Sequence, residues 1–275
     1  MVFRSMFLAV SVSLLAIHGG SCTADDAFAT EVLVIPLRVH VLTSETLPEV
    51  DCKLSDEDIQ RIVGKVNHVW RPAKIHFGLE SIVRGPAEPN DRFTPDRLKE
   101  DKGQTPLGLF RLLMPKMSRA EDGMNVYYIH KFSVNGVYLG DRIAFVQETA
   151  RLREVEGGID EPLPRVTAHE LGHALGLPHR QDRTNLLASG TTGTSLNEKE
   201  IARAREIAAR VPGVLSETEV RKQAEDERIA QITGGHDGTF GLFRSALGRR
   251  PPVHAWKTRA TPLLRQRDPQ PCKNF

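Results

Sequence analysis

The sequence predicts an α+β fold, a sheet with helices packed on it, on three observations. Residues 32–146 contain four runs of strand character, rich in β-branched and aromatic side chains. A segment between the first and second runs carries apolar residues at helical spacing instead. After the fourth run come two further segments of helical character, near residues 164–176 and 197–208.

Each element has its own local reason. Val32 to Leu42 is nearly continuous in apolar residues, the mark of a buried strand, with Pro36 expected at an edge or a bulge. Ser55 is placed to cap a helix whose first turn is Asp56, Glu57 and Asp58. Ile59, Ile62, Val63, Val66, Val69 and Trp70 then form one apolar face, until Pro72 stops the run. Ile75, Phe77 and Leu79 alternate with polar or small residues, which predicts a second strand. Thr105 and Pro106 suit the start of a helix carrying Leu107, Phe110, Leu113 and Met114. Residues 124–132 and 142–146 read as the third and fourth strands, with Asn135-Gly136 and Gly140-Asp141 as turns between them. Pro162 and Pro164 open the next helix, and Ser195 or Asn197 caps the closing one.

The chemistry lies in residues 169–179, His-Glu-Leu-Gly-His-Ala-Leu-Gly-Leu-Pro-His. His169 and His173 are four residues apart, so on a helix they lie one turn apart on one face and can grip one metal ion. Glu170 can reach a water on that ion without being a ligand. Gly176 can end the helix in a left-handed conformation and turn the chain back, so that His179 becomes a third ligand. Three imidazoles and one open position describe a catalytic zinc site rather than a closed structural one. With 10 His and 22 Gly in 275 residues, the five-residue pattern arises by accident on the order of once in ten thousand chains.

His169, Glu170, His173, Gly176 and His179 match position by position the H-E-x-x-H-x-x-G-x-x-H stretch of the metzincins, a superfamily of secreted zinc endopeptidases, which the chain therefore resembles. Leu187 stands eight residues after His179, where matrixin-like members carry the methionine of the Met-turn. That methionine is an apolar cushion rather than a ligand, so leucine is expected to serve. The resemblance covers roughly residues 31–210. It implies a zincin-like mixed sheet with an exposed antiparallel edge strand, a backing helix, an active-site helix and a C-terminal helix. It further implies Zn2+ held by His169, His173 and His179, a zinc-activated water with Glu170 as general base, and a peptide or protein substrate lying extended along residues 142–146.

At the N-terminus, Arg4 precedes an apolar run from Met6 to Ile17 and then small residues, the pattern of a secretory signal peptide expected to be cut after Ala24. The run is too short to span a membrane, and a secreted or periplasmic location follows. Cys22 as a lipid-attachment residue is the alternative, with Gly19 standing against it. Cys52 and Cys272 would remain, and in an exported chain a bridge between them is expected.

The organisation read from these features is a signal peptide over 1–24, a catalytic domain over 31–211 and an extension of unassigned role over 212–275. The extension opens with Ser216-Glu217-Thr218-Glu219, a capping-box helix start, and turns rich in Gly, Pro and Arg beyond Gly234. A formal net charge of +2 points to no nucleic-acid partner. The expected activity is hydrolysis of peptide bonds by a secreted zinc endopeptidase. The rivals are a zinc amidase acting on a small or cell-wall peptide, and a non-catalytic zinc-fold binding module, which would have no need of Glu170.

Overall fold

The computed structural model describes residues 31–94, 107–115, 118–155, 159–190, 193–233 and 270–271. The N-terminal segment with Cys22, the cap at Thr105-Pro106, and Cys272 lie outside these residues, so the expected bridge does too. The fold is α+β, as the order of elements predicts.

Among the described residues the sheet has seven strands in the order β2-β1-β3-β5-β4-β7, with β6 paired to β1 off this path. They are β1 (Leu33–Thr43), β2 (Ile75–Pro86), β3 (Met124–Ile129), β4 (Gly136–Tyr138), β5 (Ile143–Gln147), β6 (Leu215–Ser216) and β7 (Gln270–Pro271). Strands β2, β1, β3 and β5 run parallel to one another, whereas β4 is antiparallel to both β5 and β7, and β6 is antiparallel to β1. The mixed sheet is therefore as expected.

One expectation about the edge is corrected. Residues 142–146 were expected to offer the open edge, but β5 is hydrogen-bonded to β3 on one side and β4 on the other. It has no free edge for a peptide. The antiparallel strand beside β5 is β4, which starts at the Gly of Asn135-Gly136. Three residues are too few to show a period of two, and Asn-Gly is a strong turn signal, so sequence pattern hides this strand.

The apolar alternation sorts side chains onto two faces. On one face Met124, Val126, Tyr128, Ala144 and Val146 join β1 residues such as Leu37 and Val39 in the main core, beneath two helices. On the other, Tyr127, Ile129, Ile143 and Phe145 meet Phe110 and Leu113 from a 3-10 turn (Leu107–Leu113), where an α-helix was expected. Both faces of β3 and β5 are thus buried, which is why those runs are mostly apolar, with Asn125 and Gln147 as buried, hydrogen-bonded exceptions.

Helix α1 (Asp56–Trp70) starts at Ser55 with a full capping box to Asp58 and buries Ile59, Ile62, Val63, Val66, Val69 and Trp70. It packs on β2 and on α2 (Pro162–Ala174). The Trp70 indole N–H donates to the Ala168 carbonyl at 3.3 Å, and Lys65 and Arg61 both reach Glu161 at the start of α2. Pro36 sits beside the register shift at Leu37/Arg38, ahead of the point where β3 joins β1. Helix α3 (Glu198–Ala208) is capped by Asn197 with Glu200, and α4 (Glu217–Thr233) by Ser216 with Glu219. No helix among the described residues is long and apolar enough to cross a membrane.

Candidate metal centre

Helix α2 is fixed before its histidines are considered. Pro at the first helical position presets its start, and the Tyr128 hydroxyl on β3 bonds Thr167 Oγ1 at 2.7 Å. At the other end Gly176 has φ +79°, a conformation that costs glycine nothing and most other residues about 1 kcal/mol or more. The chain reverses there, and the Leu177 N–H returns to the Gly172 carbonyl at 3.0 Å. This reversal carries His179 back over α2.

His169, His173 and His179 then meet, with one ligand atom of each lying within 4.8 Å of the others. His173 Nε2 is 3.0 Å from His169 Nε2 and 3.1 Å from His179 Nε2. A tetrahedral ion with Zn–N bonds of about 2.0–2.1 Å separates its nitrogens by about 3.3 Å. The spacing is close to what such an ion requires.

The protonation pattern sharpens this. His169 Nδ1 is 2.7 Å from the Leu186 carbonyl, and His173 Nδ1 is 2.8 Å from the Leu177 carbonyl. Carbonyls only accept, so each Nδ1 carries the proton and donates. Burial pushes the His169 pKa far down, helped by the neighbouring His173, and holds His173 at about 4; burial lowers His179 too. His169 and His173 therefore turn bare Nε2 lone pairs toward each other at 3.0 Å, with no proton to make that pair a hydrogen bond, and His179 Nε2 lies 3.1 Å from the second of them. A cation between these nitrogens makes the arrangement favourable. The three imidazoles can hold a metal ion.

Glu170 is fully buried beside them. A Cβ added to Gly136 would fall 2.7 Å from Glu170 Oε1 and 2.7 Å from Val166 Cγ1. The backbone of β4 thus lies directly against this carboxylate, and only glycine permits it. Gly136→Ala is expected to push β4 off α2 and cut activity at least about tenfold while zinc content stays unchanged. A fully active Gly136→Ala variant would show that β4 does not need this approach.

The loop after His179 is held by one buried carboxylate. Glu200 accepts from Arg180 Nε at 2.6 Å, from Asn185 Nδ2 at 2.8 Å and from the Asn197 N–H at 2.9 Å. Asn185 in turn accepts from the Leu187 N–H at 2.8 Å, which places the Leu186 carbonyl on His169. Leu187 is fully buried against Gly172 of α2. Burial alone would raise the Glu200 pKa, but the Asn197 N–H, Asn185 and Arg180 outweigh it and lower the value. The stability this supplies is complete above the ordinary carboxylate range and is lost as acid carries the group through its lowered folded value. Glu200→Ala is expected to cost about 2–4 kcal/mol in denaturant unfolding at neutral pH. A loss under about 0.5 kcal/mol would mean that the loop does not depend on it.

The structure brings His169, His173 and His179 together with the buried Glu170 next in sequence to His169, and Gly136, Glu200 and two backbone carbonyls pack around them. Asn197-x-x-Glu200 is legible as a cap, but its second task on the loop is not. Backbone carbonyls leave no sequence signal.

Comparison with known proteins adds context. No protein-family model matches this chain, and no curated protein matches it. Among solved structures, archaemetzincin from Methanopyrus kandleri is similar at TM-score 0.38 and 16% identity, over 64% of this chain and 94% of that one. The zinc-dependent peptidase from Methanocorpusculum labreanum is similar at TM-score 0.30 and 14% identity, over 63% and 99% of the two chains. Metalloproteinase-II from Bacteroides fragilis is similar at TM-score 0.35 and 10% identity, over 64% of this chain and 53% of that one. The functional conclusion rests on the geometry of the site itself.

Proposed function

We propose that this protein is an exported zinc endopeptidase of metzincin type, with residues 31–211 as its catalytic domain. The observation that carries the reading is the convergence of three imidazole Nε2 atoms, two of them left bare by Nδ1–carbonyl bonds, next to a buried carboxylate. His169, His173 and His179 would hold Zn2+, consistent with an all-imidazole donor set that leaves one position open. When bound, the ion supplies a Lewis acid that polarises a peptide carbonyl and makes hydroxide available at neutral pH.

The remaining work falls to the chain. Glu170 takes the proton of the attacking water and returns it to the leaving amine. The Leu186 and Leu177 carbonyls hold two imidazoles in the tautomer and orientation that keep Nε2 free. Strand β4 binds the substrate backbone as an added strand, and its closeness to Glu170 brings a scissile bond into range. The chain's own Gln270–Pro271 already pairs with β4 antiparallel, so this edge accepts an extended segment and a substrate must take its place.

Leu187 would be the apolar cushion beneath the metal. Leu187→Met is expected to change stability by less than about 1.5 kcal/mol, because the two side chains have similar volume. A shift above about 2 kcal/mol in thermal or denaturant unfolding would remove Leu187 from that role.

The deciding experiment is cleavage profiling of the purified protein on a mixed peptide library, with metal analysis, before and after a zinc chelator. Internal cleavage that stops with the chelator and returns with zinc is the expected result. Zinc bound at unit stoichiometry with no cleavage of any peptide would refute the endopeptidase reading.

A further inference from the structure

A cavity of about 690 Å³ is lined in part by His130, Lys131, Asn135, Arg151, Arg153 and Gly190. Its size is that of a small-ligand site, typically about 300–1,000 Å³. Three of its walls belong to elements that build the centre. Asn135 precedes Gly136, whose backbone touches Glu170. Gly190 continues the loop that places Leu186 on His169. The Arg153 carbonyl accepts from Arg165 Nη2 at 2.8 Å, and Arg165 stands one turn before His169 on α2.

Among the described lining residues the charged side chains are basic: Lys131, Arg151 and Arg153 are exposed, and the acids next in sequence, Glu148 and Glu154, are not among the lining residues. Glu148, next to the lining residue Gln147, is occupied by His130 Nδ1, by the Cys52 thiol and by the Lys53 N–H. Behind the Arg153 wall lies a further cation. Arg165 is 1% exposed, yet its Nε and Nη1 have no hydrogen-bond partner. Burial works against its charge, and Asp160 is the acid that favours it. A buried guanidinium with two unused donors is costly in a folded protein and calls for a reason. A positive field directed at a neighbouring subsite supplies one. The whole-chain charge of +2 conceals this, because the basic side chains gather locally.

We infer that this cavity is the specificity subsite of the cleft and takes an acidic side chain, Asp or Glu, of the bound peptide. The inference rests on the endopeptidase reading and names its substrate class. Arg151 and Arg153 would meet the carboxylate, with Arg165 raising the local potential behind them. Both loop arginines hold the fold through backbone atoms. The Arg151 N–H and carbonyl bond Asn135, and the Arg153 carbonyl bonds Arg165, so their side chains can be exchanged without removing those bonds.

The test uses the full-length protein and the variant R151E/R153E on peptides differing only by Glu or Lys at each position around the cut. Wild type should favour Glu at one fixed position by about tenfold or more in kcat/KM, and the variant should lose that preference or turn it toward Lys. Cleavage indifferent to charge, or a Glu preference unchanged in R151E/R153E, overturns the subsite and leaves the peptidase reading intact. If no peptide is cleaved, the peptidase reading falls, and fluorescence anisotropy with the labelled Glu and Lys peptides decides the subsite. Tighter binding of the Glu peptide that weakens with salt and is lost in R151E/R153E supports it. Equal binding of the two peptides overturns it.

Discussion

Glu170→Ala is expected to lower kcat/KM for peptide hydrolysis by at least about a thousandfold, with zinc content unchanged. General-base catalysis contributes typically about 10²–10⁴ in rate, and here the base is fully buried and touches the strand that would carry the substrate. Its removal leaves all three imidazoles in place, so metal affinity and activity separate. Glu170→Gln keeps the volume and guards against a collapse of the space beside Gly136. The pair is checked by single-substrate kinetics together with elemental analysis of the purified variants. If zinc is lost along with activity in both, Glu170 has a structural part in holding the centre. If activity survives in both, another group takes the proton.

His179→Ala is expected to weaken zinc binding at least about a hundredfold and to abolish hydrolysis, because two imidazoles on one helix make a poor cage. The loss should also appear as stability. A ligand that binds only the folded chain stabilises it by about 2.7 kcal/mol at a hundred times its Kd. Wild type should therefore melt lower after chelation and recover with zinc, whereas His179→Ala should melt the same way with or without added zinc. His179 is only half-buried and lies beyond the reversal at Gly176, so its loss is not expected to unfold α2. Unchanged zinc content in His179→Ala would sink the three-histidine site.

The spacing of His169, Glu170, His173, Gly176 and His179 was enough to bring all three imidazoles and the carboxylate together, because each step is local. A helix sets the i to i+4 pair, and a glycine allows the left-handed turn that returns the third. The caps at Ser55 and Asn197 and the burial of the α1 face were legible for the same reason: they depend on residues within one or two turns. The strand runs in β1, β3 and β5 were readable because deep burial leaves mostly apolar side chains along them.

What the sequence could not decide is which groups far apart along the chain become neighbours. Whether β5 or β4 lies nearer the sheet edge depends on how three residues at Gly136 pair, and a three-residue strand carries no periodicity. The contact of Gly136 with Glu170 joins positions 34 apart, and the bond from Asn185 to Glu200 joins positions 15 apart, through side chains whose local roles look ordinary. The orientation of His169 depends on a backbone carbonyl at Leu186, which every residue type would offer equally. So the sequence by itself determined the histidine cluster and the helix that bears its first two members, through short-range geometry. Only the tertiary structure decided which strand flanks β5, the charge of the basic cavity and the anchoring of the imidazoles, because these arise where distant segments close on one another.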